Sequence, residues 1–154
     1  RMALSAAILE ATGDSERALR SLQEVERYKT SLDRSELEAR IFALRISAGE
    51  ASAVLAEVAA ARRARPEDGG LRYVFAMAQA AAGQVPGAIS TLEGLVLVEP
   101  TNMAAAVFLG QLQEGLGRVD DARQTYEQAT SRVQFASPAE RASIGAGLAR
   151  CTPR

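Results

Sequence analysis

Apolar and small residues recur every 34 positions through the centre of this chain. When residues 69–102 are laid over residues 103–136, several small or large apolar residues fall at matching positions. The matched pairs are Ala76 with Gly110, Ala88 with Ala122, and Leu92 with Tyr126. A period of 34 residues is typical of stacked helix–turn–helix units, which bury a continuous apolar core between neighbours. The pattern therefore predicts an all-α repeat protein.

Glycines recur with nearly the same period. Gly13, Gly49, Gly83 and Gly117 are spaced by 36, 34 and 34 residues. Each is expected just past a helix, where a residue with positive φ ends the helix without a Cβ clash. Four units are therefore predicted, at about 1–34, 35–68, 69–102 and 103–136.

Capping signals place the individual helices. Nine are predicted, near residues 2–12, 15–29, 34–48, 51–64, 68–82, 86–98, 102–116, 119–133 and 138–150. Asp33 or Ser35 is expected to cap the third helix. Pro86 suits the first turn of the sixth helix, because its missing N–H has no partner there in any case. Asp120 and Asp121 suit the positive end of the eighth helix dipole.

The segment after the fourth unit predicts one further helix. Ser137 as N-cap, Pro138 at the first helical position and Glu140 three residues after the cap form a capping-box pattern. A lone terminal helix commonly covers the apolar face that stacked repeats leave open. We therefore predict one repeat domain over residues 1–154, closed by a capping helix at about 137–151.

Composition and charge narrow the function classes. The net charge of −1 provides no field to gather nucleic acid, and no apolar run approaches the ~18 residues that span a bilayer. We therefore expect no nucleic-acid partner and no direct membrane insertion. The heavy use of alanine and arginine indicates a bacterial genome, and the Arg1-Met2 start suggests a fragment of a larger protein. A soluble protein of the bacterial cytoplasm or periplasm is expected, with the compartment left open because one cysteine forms no internal disulfide.

Residues for catalysis are scarce. The chain has no histidine, which removes the commonest general base and metal ligand. Its one cysteine, Cys151, lies at a predicted helix C-terminus, where the dipole disfavours a thiolate. We therefore predict no enzymatic activity, no metal site and no cofactor, and expect Cys151→Ser to be neutral.

The sequence resembles the tetratricopeptide repeat family over nearly its whole length. The unit that begins at Met103 carries the resemblance best, with Leu109-Gly110, Gly117, Ala122, Tyr126 and Ala129 at the family's spacing. The resemblance implies a right-handed superhelix of about four units plus the capping helix. It also implies that the first helix of each unit lines a concave groove.

Carrying the groove positions of that family over to this chain gives a set of candidate partner-binding residues. They are Arg40, Ala43, Ile46, Tyr73, Val74, Met77, Val107, Phe108, Gln111 and Glu114, with Ala39 beside Arg40 and with Ala3, Leu4 and Ala7 upstream. Because these positions are mostly apolar, the family's cationic clamp for acidic tails is absent. An apolar groove can hold an amphipathic helix or an extended peptide.

These features together predict a non-catalytic adaptor or scaffold that binds a protein or peptide, within a bacterial multiprotein assembly or secretion system. The alternative is a structural spacer or homo-oligomer whose groove is filled by its parent chain or by a second copy. The arginine cluster Arg62, Arg63 and Arg65 is expected to end a helix, with an acidic partner as the alternative. At the expected helix crossing, Gly110→Leu should be destabilising and Gly110→Ala mild or stabilising.

Overall fold

Helices make up most of residues 15–26 and 31–153, the part of the chain that this computed structural model describes. The helices are α1 (Ser15–Glu26), α2 (Ser31–Ser47), α3 (Ala51–Ala64), α4 (Gly69–Ala81), α5 (Val85–Val98), α6 (Met103–Gly115), α7 (Val119–Thr130) and α8 (Pro138–Cys151), with a 3-10 turn at Val133–Phe135. No strand occurs in this part of the chain. The predicted all-α class is confirmed. The helix predicted near residues 2–12, and Gly13 after it, lie outside the described residues.

The chain divides into two compact units, an N-terminal unit, Arg1–Gln84, and a C-terminal unit, Val85–Arg154. Helices α1 to α4 belong to the first unit and α5 to α8 to the second. A single domain over all 154 residues stays a prediction.

Three glycines end helices as the 34-residue spacing predicts. Gly49, Gly83 and Gly117 have φ of 91°, 84° and 74°, a region in which a side chain is strained. The helix starts repeat with the same period, since Asp68 accepts a hydrogen bond from the Leu71 N–H and Asn102 accepts one from the Ala105 N–H, both at 3.1 Å. The predicted cap at Asp33 or Ser35 is wrong, because α2 begins at Ser31 and includes both residues.

The N-terminal unit is built on apolar stripes of α2. One stripe packs against α3 and α4 in a core of Phe42, Val54, Val58, Leu71, Val74 and Ala78. Another stripe, Leu37 and Ile41, packs with Leu19 of α1. Polar contacts add to the α2–α3 interface, where Arg45 donates two hydrogen bonds to the Glu57 carboxylate, at 2.7 and 2.9 Å.

The C-terminal unit is centred on the ring of Tyr126, which is fully buried on α7. Glycines of two other helices face this ring, Gly110 on α6 and Gly147 on α8. A Cβ atom built at Gly110 would lie 2.5 Å from the Tyr126 Cζ, and one at Gly147 would also overlap the ring. Only glycine fits on either side, so α6, α7 and α8 approach one another closely. The prediction that Gly110→Ala is mild is therefore wrong.

Helix α8 covers apolar side chains of α6 and α7, as a capping helix should. Ser137 accepts from the Glu140 N–H and donates its own N–H to the Glu140 carboxylate, so the predicted capping box is present. Ile144 and Cys151 of α8 are 2% and 4% exposed and join the cluster around Tyr126. The prediction that Cys151→Ser is neutral is revised, because a serine hydroxyl would be buried in this apolar cluster.

Two glycines of α8 provide a matched pair of substitutions. Gly147→Ala should reduce the free energy of unfolding by about 1–3 kcal/mol, because the new methyl group overlaps Tyr126. Gly145→Ala, two residues away and facing open space, should add about 0.5–1 kcal/mol through helix propensity. Urea denaturation of both variants measures the difference. Equal stabilities would show that the ring does not occupy the gap between the helices.

Candidate protein-binding surfaces

The predicted binding residues of α2 divide between surface and core. Phe42 and Leu37 lie on the two stripes of α2 that pack against other helices. Arg40 and Ala43 lie on the surface of α2 between these stripes, and both are partly exposed. Ile46 is different, since its side chain packs on the core of the N-terminal unit. On α2, only Arg40 and Ala43 remain as surface positions of the predicted set.

Helix α4 shows the same division. Tyr73 and Met77 are partly exposed and lie on the side of α4 away from Leu71. Val74 is 3% exposed and belongs to the core of the N-terminal unit. Because α2 packs directly against α4, the partly exposed residues of the two helices belong to one unit. We call Arg40, Ala43, Tyr73 and Met77 the first-helix face.

In the C-terminal unit, the predicted residues of α6 have three different environments. Gln111 is exposed and Phe108 is partly exposed. Val107 packs against the cluster that contains Tyr126. Glu114 is part of a hydrogen-bond network with α7 and α8.

Glu114 joins three helices through its carboxylate. The buried Tyr126 hydroxyl donates to the Glu114 Oε1 at 2.6 Å, and Arg150 of α8 donates to both carboxylate oxygens, at 2.9 and 3.0 Å. The hydrogen bonds from Arg150 hold the pKa of Glu114 below its usual value. The hydrogen bond from Tyr126 lowers this pKa further, whereas partial burial of the carboxylate raises it. Burial and the Glu114 carboxylate raise the pKa of the Tyr126 phenol. Glu114 therefore has a structural role in this conformation.

Cys151 lies close to this network. Its thiol is buried, and burial, with the negative charge of Glu114, raises its pKa. The predicted preference for the neutral thiol is supported, with burial as the main cause.

The arginines of the cluster at the end of α3 have different surroundings. The Arg62 guanidinium lies 4.3 Å from the centroid of the Phe75 ring, a cation–π contact. Arg65 is paired with Glu38 and donates to the Ser35 hydroxyl at 3.0 Å. Arg63 is exposed. These contacts tie α3 to α2 and α4, in agreement with the structural interpretation of the cluster.

The C-terminal unit also has an open groove, which is not among the predicted binding surfaces. The groove has a volume of about 520 Å³ and lies between α5 and α7, with α6 as its floor. Its apolar lining consists of Val96, Leu97, Pro100, Ala106, Leu109 and Ala129. Leu97 is 81% exposed, and the neighbouring Val98 is 62% exposed. We call this feature the α5–α7 groove.

The sequence of α5 contains a signal for this groove. A surface helix normally carries one apolar stripe, and Ala88, Leu92 and Leu95 supply that stripe here. At 100° per residue, Leu97 lies about 170° and Val98 about 90° from the centre of that stripe. Apolar residues outside the packed stripe indicate a second apolar surface.

Two general features of the described residues bear on function. Residues 15–26 and 31–153 contain no group of three or more His, Cys, Asp or Glu side chains that could hold a metal ion. In the same ranges, no helix is both long enough and apolar enough to cross a membrane.

Comparisons with solved structures identify the fold. TTC0263, a thermophilic TPR protein in Thermus thermophilus, matches with a TM-score of 0.76 and 18% identity. The match covers 97% of this chain and 80% of TTC0263. A tetratricopeptide repeat protein from Parabacteroides merdae matches with a TM-score of 0.62 and 17% identity, and the match covers 97% of this chain but 58% of that protein. MamA matches with a TM-score of 0.59 and 14% identity, over 95% of this chain and 91% of its own length.

These likenesses show that the chain has the tetratricopeptide repeat fold, as the sequence predicted. No protein-family model and no curated protein sequence matches the chain.

The role of Glu114 can be tested through the pH dependence of stability. Because its pKa is lower in the folded state than in the unfolded chain, Glu114 stabilises the fold above about pH 4.3, and this contribution is lost as the pH falls further. Glu114→Gln should therefore lower the melting temperature at pH 7, and the difference from wild type should shrink below pH ~4.

The exposed residue Glu127 provides a control, because Glu127→Gln should leave the melting temperature nearly unchanged at both pH values. A Glu114→Gln deficit that is independent of pH would show that the carboxylate charge does not stabilise the unit.

Proposed function

We propose that the chain is a non-catalytic protein-binding scaffold that holds a peptide or a helix of a partner on its first-helix face. The observation that carries the proposal is the division of residues on α2 and α4. Phe42 and Val74 fix the two helices in a shared core, while Arg40, Ala43, Tyr73 and Met77 stay at the surface. A rigid pair of helices with apolar and aromatic surface residues suits the capture of an amphipathic segment.

The chemistry of the face supports a protein partner. Tyr and Met offer large contact areas, and Tyr and Arg are enriched among residues that dominate binding energy. We therefore assign the main anchor to Tyr73, with Met77 one turn further along α4. Gln111 and Phe108 of α6 supply further surface positions of the predicted set in the C-terminal unit. The composition favours a bacterial source, and the setting that we propose is a bacterial multiprotein assembly or secretion system.

The test begins with a partner captured from a bacterial lysate and then purified, so that affinity is measured directly. Tyr73→Glu should weaken binding roughly 30-fold, the equivalent of about 2 kcal/mol for an interface anchor. Circular dichroism should show unchanged helicity, because Tyr73 lies outside the core residues of the N-terminal unit. Phe108→Glu, measured separately, reports on the C-terminal unit.

Arg63→Gln is the control, because Arg63 is exposed at the end of α3 and is not one of the residues of this face. This substitution should change the affinity little, and any change should appear mainly in the salt dependence of binding. A folded Tyr73→Glu protein that keeps full affinity would exclude this face. A mass that rises with concentration in light scattering, with no captured partner, would favour the spacer or self-association alternative.

A further inference from the structure

The α5–α7 groove lies on the side of α6 opposite the predicted binding positions. Ala106, Leu109 and Gln113 form its floor. At 100° per residue, Phe108 lies roughly 130° and Gln111 roughly 170° around the helix from the centre of that floor. A ligand in the groove would therefore not cover Phe108 or Gln111. The groove is a second surface, separate from the one used in the proposed function.

Charges are distributed unevenly along the groove. Near the start of α7, Arg118 lies between two carboxylates, 2.7 Å from Asp121 and 3.7 Å from Glu93, so its charge is neutralised. Just past the end of α7, Arg132 hydrogen-bonds to the Gln128 carbonyl and the Ser131 hydroxyl, both at 3.3 Å. Within the described part of the chain, Arg132 has no carboxylate partner. The arginine at one end of the groove is therefore ion-paired within the protein. The arginine at the other end can bind an anion.

The length of the groove sets the length of the segment that it can hold. From Arg118 to Arg132, α7 and the turn after it run roughly 20 Å, at 1.5 Å per residue. A helix with its side chains is about 10 Å in diameter. An extended chain spans the same distance with about six residues and is much thinner. The exposed Gln124 and Gln128 of the rim can hydrogen-bond its backbone.

We propose that the α5–α7 groove binds an extended peptide segment in which apolar side chains are followed by a carboxylate. The apolar side chains pack against Leu97 and the floor formed by Ala106 and Leu109. The carboxylate forms a charge-assisted pair with Arg132, which can bind it in a bidentate geometry. Burial of Leu97 supplies the apolar contribution, and Arg132 supplies the preference for an acidic residue.

The test uses a blocked six-residue probe peptide, acetyl-Ala-Leu-Ala-Leu-Glu-Ala-amide, and its counterpart with Gln in place of Glu. Amide chemical shifts of the labelled protein are followed up to roughly 5 mM peptide, above the ~1 mM dissociation constant of a weak ligand. We expect shifts at residues that line the groove, and about fivefold to tenfold weaker binding of the Gln peptide. Leu97→Ser should weaken both peptides.

Arg132→Gln should remove the discrimination between the two peptides, as a double-mutant cycle requires for a direct pair. Arg123→Gln is the matched control on α7, because Arg123 is paired with Asp120 at 2.9 Å and does not line the groove. It should preserve the discrimination.

Three results would overturn the proposal. One is an absence of groove shifts at the highest peptide concentration, or shifts confined to the first-helix face. Another is discrimination that survives Arg132→Gln. The third is a change of the groove resonances on dilution without peptide, which would assign the groove to a second copy of the chain.

Discussion

The packing of the Tyr126 ring between two glycines is the constraint on which the C-terminal unit depends. Gly110 and Gly147 leave no room for a Cβ atom beside the ring, so three helices approach around one side chain. The phenol hydroxyl would cost about 1–3 kcal/mol if it were buried without a partner. Glu114 accepts its hydrogen bond, and Arg150 of α8 holds the same carboxylate. Apolar packing and a charged hydrogen-bond network therefore fix α8 at the same place.

This arrangement gives the sides of α6 different functions. Gly110 and Glu114 fix the helix against α7 and α8, which gives Glu114 a structural role. Ala106 and Leu109 form the floor of the α5–α7 groove. A floor fixed by close packing is preorganised, and a preorganised site loses less conformational entropy when it binds. The stability of the unit and the binding role proposed for the groove thus rest on the same helix.

The sequence predicts the fold well because its strongest signals are local and periodic. Gly49, Gly83 and Gly117 mark helix ends through backbone conformation alone, and Ser137 with Glu140 marks a helix start through neighbouring hydrogen bonds. The candidate surfaces were harder to predict because exposure depends on contacts between distant residues. Val74 and Tyr73 are adjacent in sequence, yet one is in the core and the other is partly exposed. Glu114 has a structural role because Arg150, 36 positions away, donates to its carboxylate. No spacing rule identifies this contact from the sequence.

Native-state hydrogen exchange tests most directly whether Tyr126 makes α6, α7 and α8 one cooperative unit. We expect the slowest amides of α8 to exchange through the same opening as those of α6 and α7, with equal free energies of opening and equal dependence on denaturant. Slow α8 amides that exchange near the rate of an isolated helix, while α6 and α7 remain protected, would contradict it. In that case α8 would detach on its own, and the contacts of Tyr126 with Gly147 would not control the stability of the unit.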